Sequence, residues 1–406
     1  MANLSRLQQL HSSLKHTVPI NISSLTASVE APPIAEAMSW ITDSPRNRPF
    51  LNLCQAVPSY PPAGELQQEF ARLAQTAGVG GYTPIYGVET LRAAHAKAMG
   101  KDYGTSIASN EVAITTGCNQ AFAAAVMAVA QAGDSIVMPT PWYFNHQMWL
   151  KMLGIKIEPI SAFGAGRNYP DVEEAAKAIT ATTRAIVLCT PNNPTGAIYP
   201  AEVIHAFFDL AQKHDIALIL DETYKDFRPD AAPAHNLFNR AGWQDTLIQL
   251  YSFSKIYALA GYRLGSMISG PALLSEAAKV LDCMTICPPH LTQLGVQFAL
   301  TELADWKRGK LQLMSGRLAA IREAFANPAL NFEMVSSGAY FAYVKHPYRG
   351  EASKPVAMRL AQQHDVLCLP GVMFGPGQED YLRFAFANVD AEFMMPLVER
   401  LIGAQS

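Results

Sequence analysis

The chain has 406 residues, half of them hydrophobic and only 16% charged, with a formal net charge of −3. That length exceeds one compact core and supplies apolar surface for two domains, or for a large domain with a smaller one appended. No basic or acidic tail is present, which argues against a nucleic-acid face and against an anionic membrane surface.

Residues 1–20, MANLSRLQQLHSSLKHTVPI, hold no apolar run long enough for a signal peptide and read as a short amphipathic helix or arm. EVAITTG (111–117) reads as a strand leading into an Ala-rich buried helix, AFAAAVMAVAQAG (121–133), too short to span a bilayer. DSIVMPTP (134–141) is the next strand, then a helical NHQMWLKMLG and the strand IKIEPI. RAIVLCTPNN (184–193) is a continuous apolar run ending in a polar loop, and PAEVIHAFFDLAQKHD (200–215) has apolar residues at helical spacing. IALILDE (216–222) and DTLIQLYSFSK (245–255) are two more strands. Strands apolar on both faces and separated by helices imply a mostly parallel sheet covered on both sides, here an α/β core over roughly residues 52–290.

The last third differs. A long amphipathic helix (303–327) precedes GAYFAYV (338–344), a further helix, VLCLPG and YLRFAFA (381–387). This reads as a smaller α+β domain whose antiparallel strands pair with a segment near the N-terminus. The expected division is an arm and part of the small domain over 1–51, a large cofactor-binding domain over 52–295, and a C-terminal small domain over 296–406. The six cysteines, Cys54, Cys118, Cys189, Cys283, Cys287 and Cys368, form no CxxC pair and accompany no histidine cluster. They read as reduced thiols of a cytoplasmic protein, and no metal site is expected.

Ligands in open α/β sheets bind beyond the carboxyl ends of the strands. Three successive strands here end in reactive groups: an amide at Asn193, a carboxylate at Asp221 and an amine at Lys255. Asp221 emerges from a purely apolar strand, so it is either a helix N-cap or the partner of a buried cation, such as a protonated pyridine nitrogen brought by a ligand. Lys255 is either a solvated lysine or a desolvated amine whose lowered pKa makes it a nucleophile toward an aldehyde. Arg263 wants an anion, and a guanidinium suits phosphate. Ser252 and Ser254 add hydroxyls, and Gly117, Cys118 and Asn119 open a helix whose free amides favour the same charge. There is no GxGxxG after a strand and no GxxxxGK[ST], so the phosphate belongs to neither a dinucleotide nor a nucleoside triphosphate. A lysine for an aldehyde, an aspartate for a pyridinium and a cradle for one phosphate together describe pyridoxal 5'-phosphate.

From about residue 50 to about 390, the sequence resembles the fold-type I, class I/II aminotransferases. The resemblance rests on PNNPTG (191–196), DETY (221–224), SFSK followed by YRLG, and YLRFAFA. It implies an aspartate-aminotransferase-like fold with a seven-stranded, mostly parallel sheet flanked by helices and a smaller α+β domain. It assigns Asn193 and Tyr224 to the cofactor's phenolic oxygen, Asp221 to the ring nitrogen, Lys255 to the aldehyde, and Arg263 with Ser252 to the phosphate. PTPWYF resembles the segment that stacks an aromatic ring on the pyridine. Tyr143 aligns best and Trp142 is the fallback, with plain core packing the other reading. YTPIYGVETLR (82–92) is similar to a segment whose tyrosine, here Tyr82, reaches the phosphate in the partner subunit, which implies a homodimer with shared sites.

Arg383 takes the substrate α-carboxylate in this resemblance, a structural ion pair being the other reading. Two departures bear on substrate. Ala56 stands where relatives commonly have glycine close to the substrate, and residues 281–293 hold no lysine or arginine, whereas dicarboxylate-specific relatives often carry an arginine there. The expected function is thus ping-pong transfer of an α-amino group from a neutral, aliphatic or aromatic amino acid to a 2-oxo acid. The alternatives are a carbon–sulfur β-lyase on the same cofactor and a non-enzymatic regulator. The latter needs a DNA-binding region that the roughly 50 residues before the core do not supply. His146 and His290 are noted as histidines that either line the pocket or simply pack.

Overall fold

The computed structural model describes residues 20–42, 46–163, 166–230 and 232–405. The arm expected over 1–20 lies, except for Ile20, outside the described residues. Thirteen strands are present among them. They are β1 (Leu51–Asn52), β2 (Val112–Thr115), β3 (Ser135–Thr140), β4 (Lys156–Ser161), β5 (Thr183–Cys189), β6 (Ala217–Asp221) and β7 (Leu247–Ser252). After these come β8 (Gly265–Ile268), β9 (Glu333–Gly338), β10 (Phe341–Lys345), β11 (Val366–Leu367), β12 (Leu369–Pro370) and β13 (Tyr381–Ala385).

Strands β2 to β8 form one sheet in the order β2-β8-β7-β6-β5-β3-β4. All neighbouring pairs from β7 to β4 are parallel, and β8 alone runs against its two neighbours. The mostly parallel, seven-stranded sheet read from the sequence is therefore the fold. Alternation along β6 shows why it is covered on both sides. Leu218 and Leu220 belong to one buried cluster with Phe207 and Phe208 of the helix Ala201–Lys213. Ile219 points the other way, into a second cluster with Ala121, Phe122 and Ala125 of the helix Cys118–Val129. Cys189 pairs with Asp221, and Asp221 with Leu250, so the carboxyl ends of β5, β6 and β7 lie side by side.

The small sheet has the order β12-β13-β10-β9 and is antiparallel throughout. Its N-terminal partner is the segment after residue 50. The Ala385 amide donates to the Leu53 carbonyl at 2.7 Å, but the regular pairing of that segment is parallel, β1 against β11. The helix His290–Glu302 packs on the helices Gly64–Leu73 and Glu89–Tyr103 and runs through residue 295. We propose that the two domains divide at its end, near Leu303, rather than within it. Among the described residues no helix is long and apolar enough to cross a membrane.

Candidate active site

A cavity of about 310 Å³ lies beyond the ends of β5, β6 and β7. Lys255, Asp221, Asn193, Tyr224, Ser252, Ser254, Arg263 and Arg383 line it, as do Cys118, Asn119, Tyr143 and Ala56. Gly117 sits one residue behind Cys118, as the N-cap of the helix Cys118–Val129. Tyr82 is not among the lining residues and is 81% exposed.

Asp221 ends β6 with its side chain out of water. Its Oδ1 accepts from the Thr223 amide at 2.9 Å, and its Oδ2 lies 3.2 Å from His146 Nε2. Burial pushes the carboxyl up, but the bond and charge of His146, with the Thr223 bonds, outweigh it and hold the group below the ordinary carboxylate range. The His146 ring is fixed by stacking on Phe122, with centroids 3.9 Å apart. His290, by contrast, opens the helix Pro289 caps and does not line the cavity.

Lys255 follows β7 in the one-turn helix Phe253–Ile256. Its Nζ donates to the Ala56 carbonyl at 2.7 Å. Burial, and then the nearby Arg383 and Arg263 cations, push the amine down to about 8. Ser252 caps that turn by accepting from the Ser254 amide at 3.3 Å, while the buried Ser254 Oγ has no protein partner.

Arg263 closes the same end of the cavity. Its backbone is left-handed, with φ 53°, a region that costs a non-glycine residue energy and is concentrated at functional sites. Gly117 faces it at φ 83°, and a Cβ there would run into Arg263 Nη2. Glycine thus lets the guanidinium lie against the first turn of the helix Cys118–Val129, where free amides face the same space.

Arg383, in the middle of β13, is the largest side chain buried almost completely. Its Nη1 donates to Asn193 Oδ1 at 3.0 Å and its Nη2 to the Cys54 carbonyl, while Nε finds no partner. Burial lowers its pKa to about 10. No carboxylate pairs with it among the described residues. Of the two rings weighed for the pyridine face, Tyr143 lines the cavity. Trp142 lies in the second core cluster and lines a neighbouring cavity instead.

Several lining residues carry no motif in the sequence. Ile34, Gln55, Val57, Phe144, Cys189, Thr223 and Ala260 also line the cavity. Ala260 acts through its backbone, Thr223 holds Asp221 through both its amide and its side chain, and Ile34 comes from a short helix, Pro33–Met38, with no motif of its own. The contact of His146 with Asp221 had one available signal, a histidine on a helix opening beside the aromatic pair.

A buried anion, a softened amine, a buried arginine and an anion cradle at the strand ends define an enzyme of carbonyl–amine chemistry. The family profile for aminotransferase class I and II matches residues 48–401, and the chain belongs to that family. It is a pyridoxal-phosphate-dependent transaminase. The aromatic aminotransferase ISS1 of Arabidopsis thaliana is 26% identical, over 86% of this chain and 88% of its own length. The valine–pyruvate aminotransferase of Mycobacterium tuberculosis is 27% identical, over 88% and 92%. Among solved structures, the aspartate aminotransferase of Thermus thermophilus with maleate aligns at a TM-score of 0.84, covering 95% of this chain and 99% of its own at 23% identity, a likeness of fold.

Proposed function

We propose that the protein moves an α-amino group from an uncharged amino acid to a 2-oxo acid by ping-pong exchange. The observation that carries this reading is the meeting of Lys255, Asp221 and Arg383 in one cavity, each desolvated and each with a distinct task. The residues fit pyridoxal phosphate. Ser254 Oγ is buried without a protein partner, Gly117 keeps a cradle open beneath Arg263, and Asp221 holds a buried negative charge suited to a pyridinium. Ser252, Ser254, Arg263 and the amides of Cys118 and Asn119 would hold the phosphate. Asn193 and Tyr224 would hold the phenolic oxygen, and Tyr143 would cover the ring. Bound there, the cofactor supplies an electron-withdrawing ring that delocalises the pair left when the donor's Cα–H bond breaks.

The chain does the rest. Arg383 orients the donor by its carboxylate and aims Cα–H at Lys255. Lys255 Nζ takes the α-proton, and an amine softened to about 8 is well matched to that work near neutral pH. Asp221, held charged by His146 and Thr223, keeps the opposite end of the site anionic. The six cysteines are all unpaired, which fits a reducing, cytoplasmic location. A carbon–sulfur lyase is the weaker reading, since the relatives above are named for amino-group transfer.

Lys255→Ala should abolish turnover and the cofactor's visible band while leaving the fold intact by circular dichroism. Full activity in that variant would sink the scheme. Adding single amino acids to the holoenzyme without acceptor, and following the cofactor spectrum, identifies the donor. Release of pyruvate and ammonia from cystathionine without acceptor would favour the lyase.

A further inference from the structure

A second cavity, of about 550 Å³, shares a wall with the first, since Phe144 lines both. The helix Pro33–Met38 roofs the pair, giving Ile34 to the first and Pro33 and Glu36 to the second. The partition continues from the carboxylate anchor. The Arg383 guanidinium lies 5.1 Å from the centre of the Phe374 ring, and that ring lies 5.7 Å from Phe144. The far walls are Trp142, Met148 and Met373, two of them flexible thioethers that adapt to varied shapes.

Charge sets a second condition. The second cavity is lined by Glu30, Glu36 and Glu379 against one cation, Lys354, which is already ion-paired with Glu36. Glu30 is held by Lys151 at 2.8 Å. A distal carboxylate entering here would meet an excess of its own sign and no free cation.

We propose that this second cavity, reached past the Phe144 ring, is the subsite for the donor's side chain, and that it selects long, uncharged apolar side chains over short ones and over dicarboxylic acids. The inference rests on the transaminase reading above. With the carboxylate on Arg383 and Cα facing Lys255, the side chain lies against Ile34 and Phe144. The apolar walls beyond the ring remove further methylenes from water. Each buried methylene is worth about fourfold in kcat/KM, so three of them give on the order of fiftyfold.

The test is a donor series with the holoenzyme and a fixed 2-oxo acid: alanine, 2-aminobutyrate, norleucine, phenylalanine and aspartate. Norleucine should exceed alanine by on the order of fiftyfold in kcat/KM, and aspartate should fall below alanine. Met148→Trp and Met373→Trp each fill the second cavity from half-buried positions, and either should shrink the norleucine-to-alanine ratio at least tenfold. A ratio unmoved in a folded, cofactor-loaded variant overturns the subsite, as does a wild-type preference for aspartate. A holoenzyme that transfers no amino group from any donor instead overturns the transaminase reading itself.

Discussion

Lys255 illustrates how burial sets chemistry at a single residue. A lysine at its ordinary value of 10.5 is neutral in about one molecule in three thousand at pH 7, and one at about 8 in roughly one in ten. Capture of pyridoxal phosphate by the apoenzyme should therefore quicken about tenfold from pH 6 to pH 7 and level off above about pH 8.5. Stopped-flow absorbance reads this directly, and a rate still climbing tenfold per unit near pH 10 would rule it out. The sign for stability follows from the same lowered value. The unfolded lysine keeps its proton up to about 10.5 and the folded one only to about 8, so this group makes stability rise with pH between those two. Asp221 is the opposite case, an acid held down against burial by His146. Its charge is present at neutral pH and lost as pH falls through its folded value. His146→Ala removes the restraint and lets burial win, so the acid limb of the activity profile should move to higher pH. His146→Asn, which keeps a donor, should move it less; coincident profiles for wild type and both variants would refute the role.

At the scale of elements, two loops from different sheets approach so closely that only glycine fits. Gly196 ends the PNNPTG loop after β5 at φ 71°, and a Cβ there would strike the Gly338 backbone; a Cβ on Gly338, at the end of β9, would strike the Gly196 carbonyl. Gly196→Ala combines overpacking with left-handed strain, together costing about 2–4 kcal/mol. Gly338→Ala should cost about 1–3 kcal/mol from the clash alone. Because the same loop carries Asn193, whose Oδ1 accepts from Arg383 at 3.0 Å, both variants should also raise KM for the donor. Urea unfolding and steady-state kinetics measure the two effects, and wild-type values in both would show that the contact is soft. The PNNPTG loop was legible in the sequence, whereas its partner glycine in β9 was not. Strand ends announce themselves because an apolar run gives way to polar residues; Asp221 ends β6, and Asn193 and Lys255 follow β5 and β7 within a few residues. Contacts made by backbone groups carry no such mark. Neither the Ala56 carbonyl on Lys255 nor the Cys54 carbonyl on Arg383 depends on residue type. The same holds for β8, whose reversed direction depends on the turn around Arg263 rather than on its own four residues.

The whole molecule leaves a group of large apolar side chains exposed on one pair of segments. Tyr82 is 81% exposed, and the adjoining Thr83 amide donates to Cys287 Sγ at 3.4 Å, joining this segment to a surface where Met284 and Ile286 are also exposed. Exposed apolar side chains gathered on segments joined in this way fit a self-complementary interface, in which each copy offers the same patch to the other. We propose a two-fold dimer in which Tyr82 reaches the phosphate end of the partner's site. Sedimentation should then give twice the mass of the 44.2 kDa chain. Mixing makes the sharing itself testable. Tyr82→Ala damages the partner's site, and Lys255→Ala inactivates its own. After co-refolding of the two variants, a mixed dimer carries both lesions in one site and none in the other. Random pairing makes half the dimers mixed, so activity should recover to roughly a quarter of wild type, well above the sum of the separate variants. Unshared sites give no such recovery, because every site of the Tyr82 variant would then depend on its own chain alone. The measured activity would stay at the average of the two parents, and the shared-site dimer would fall with it.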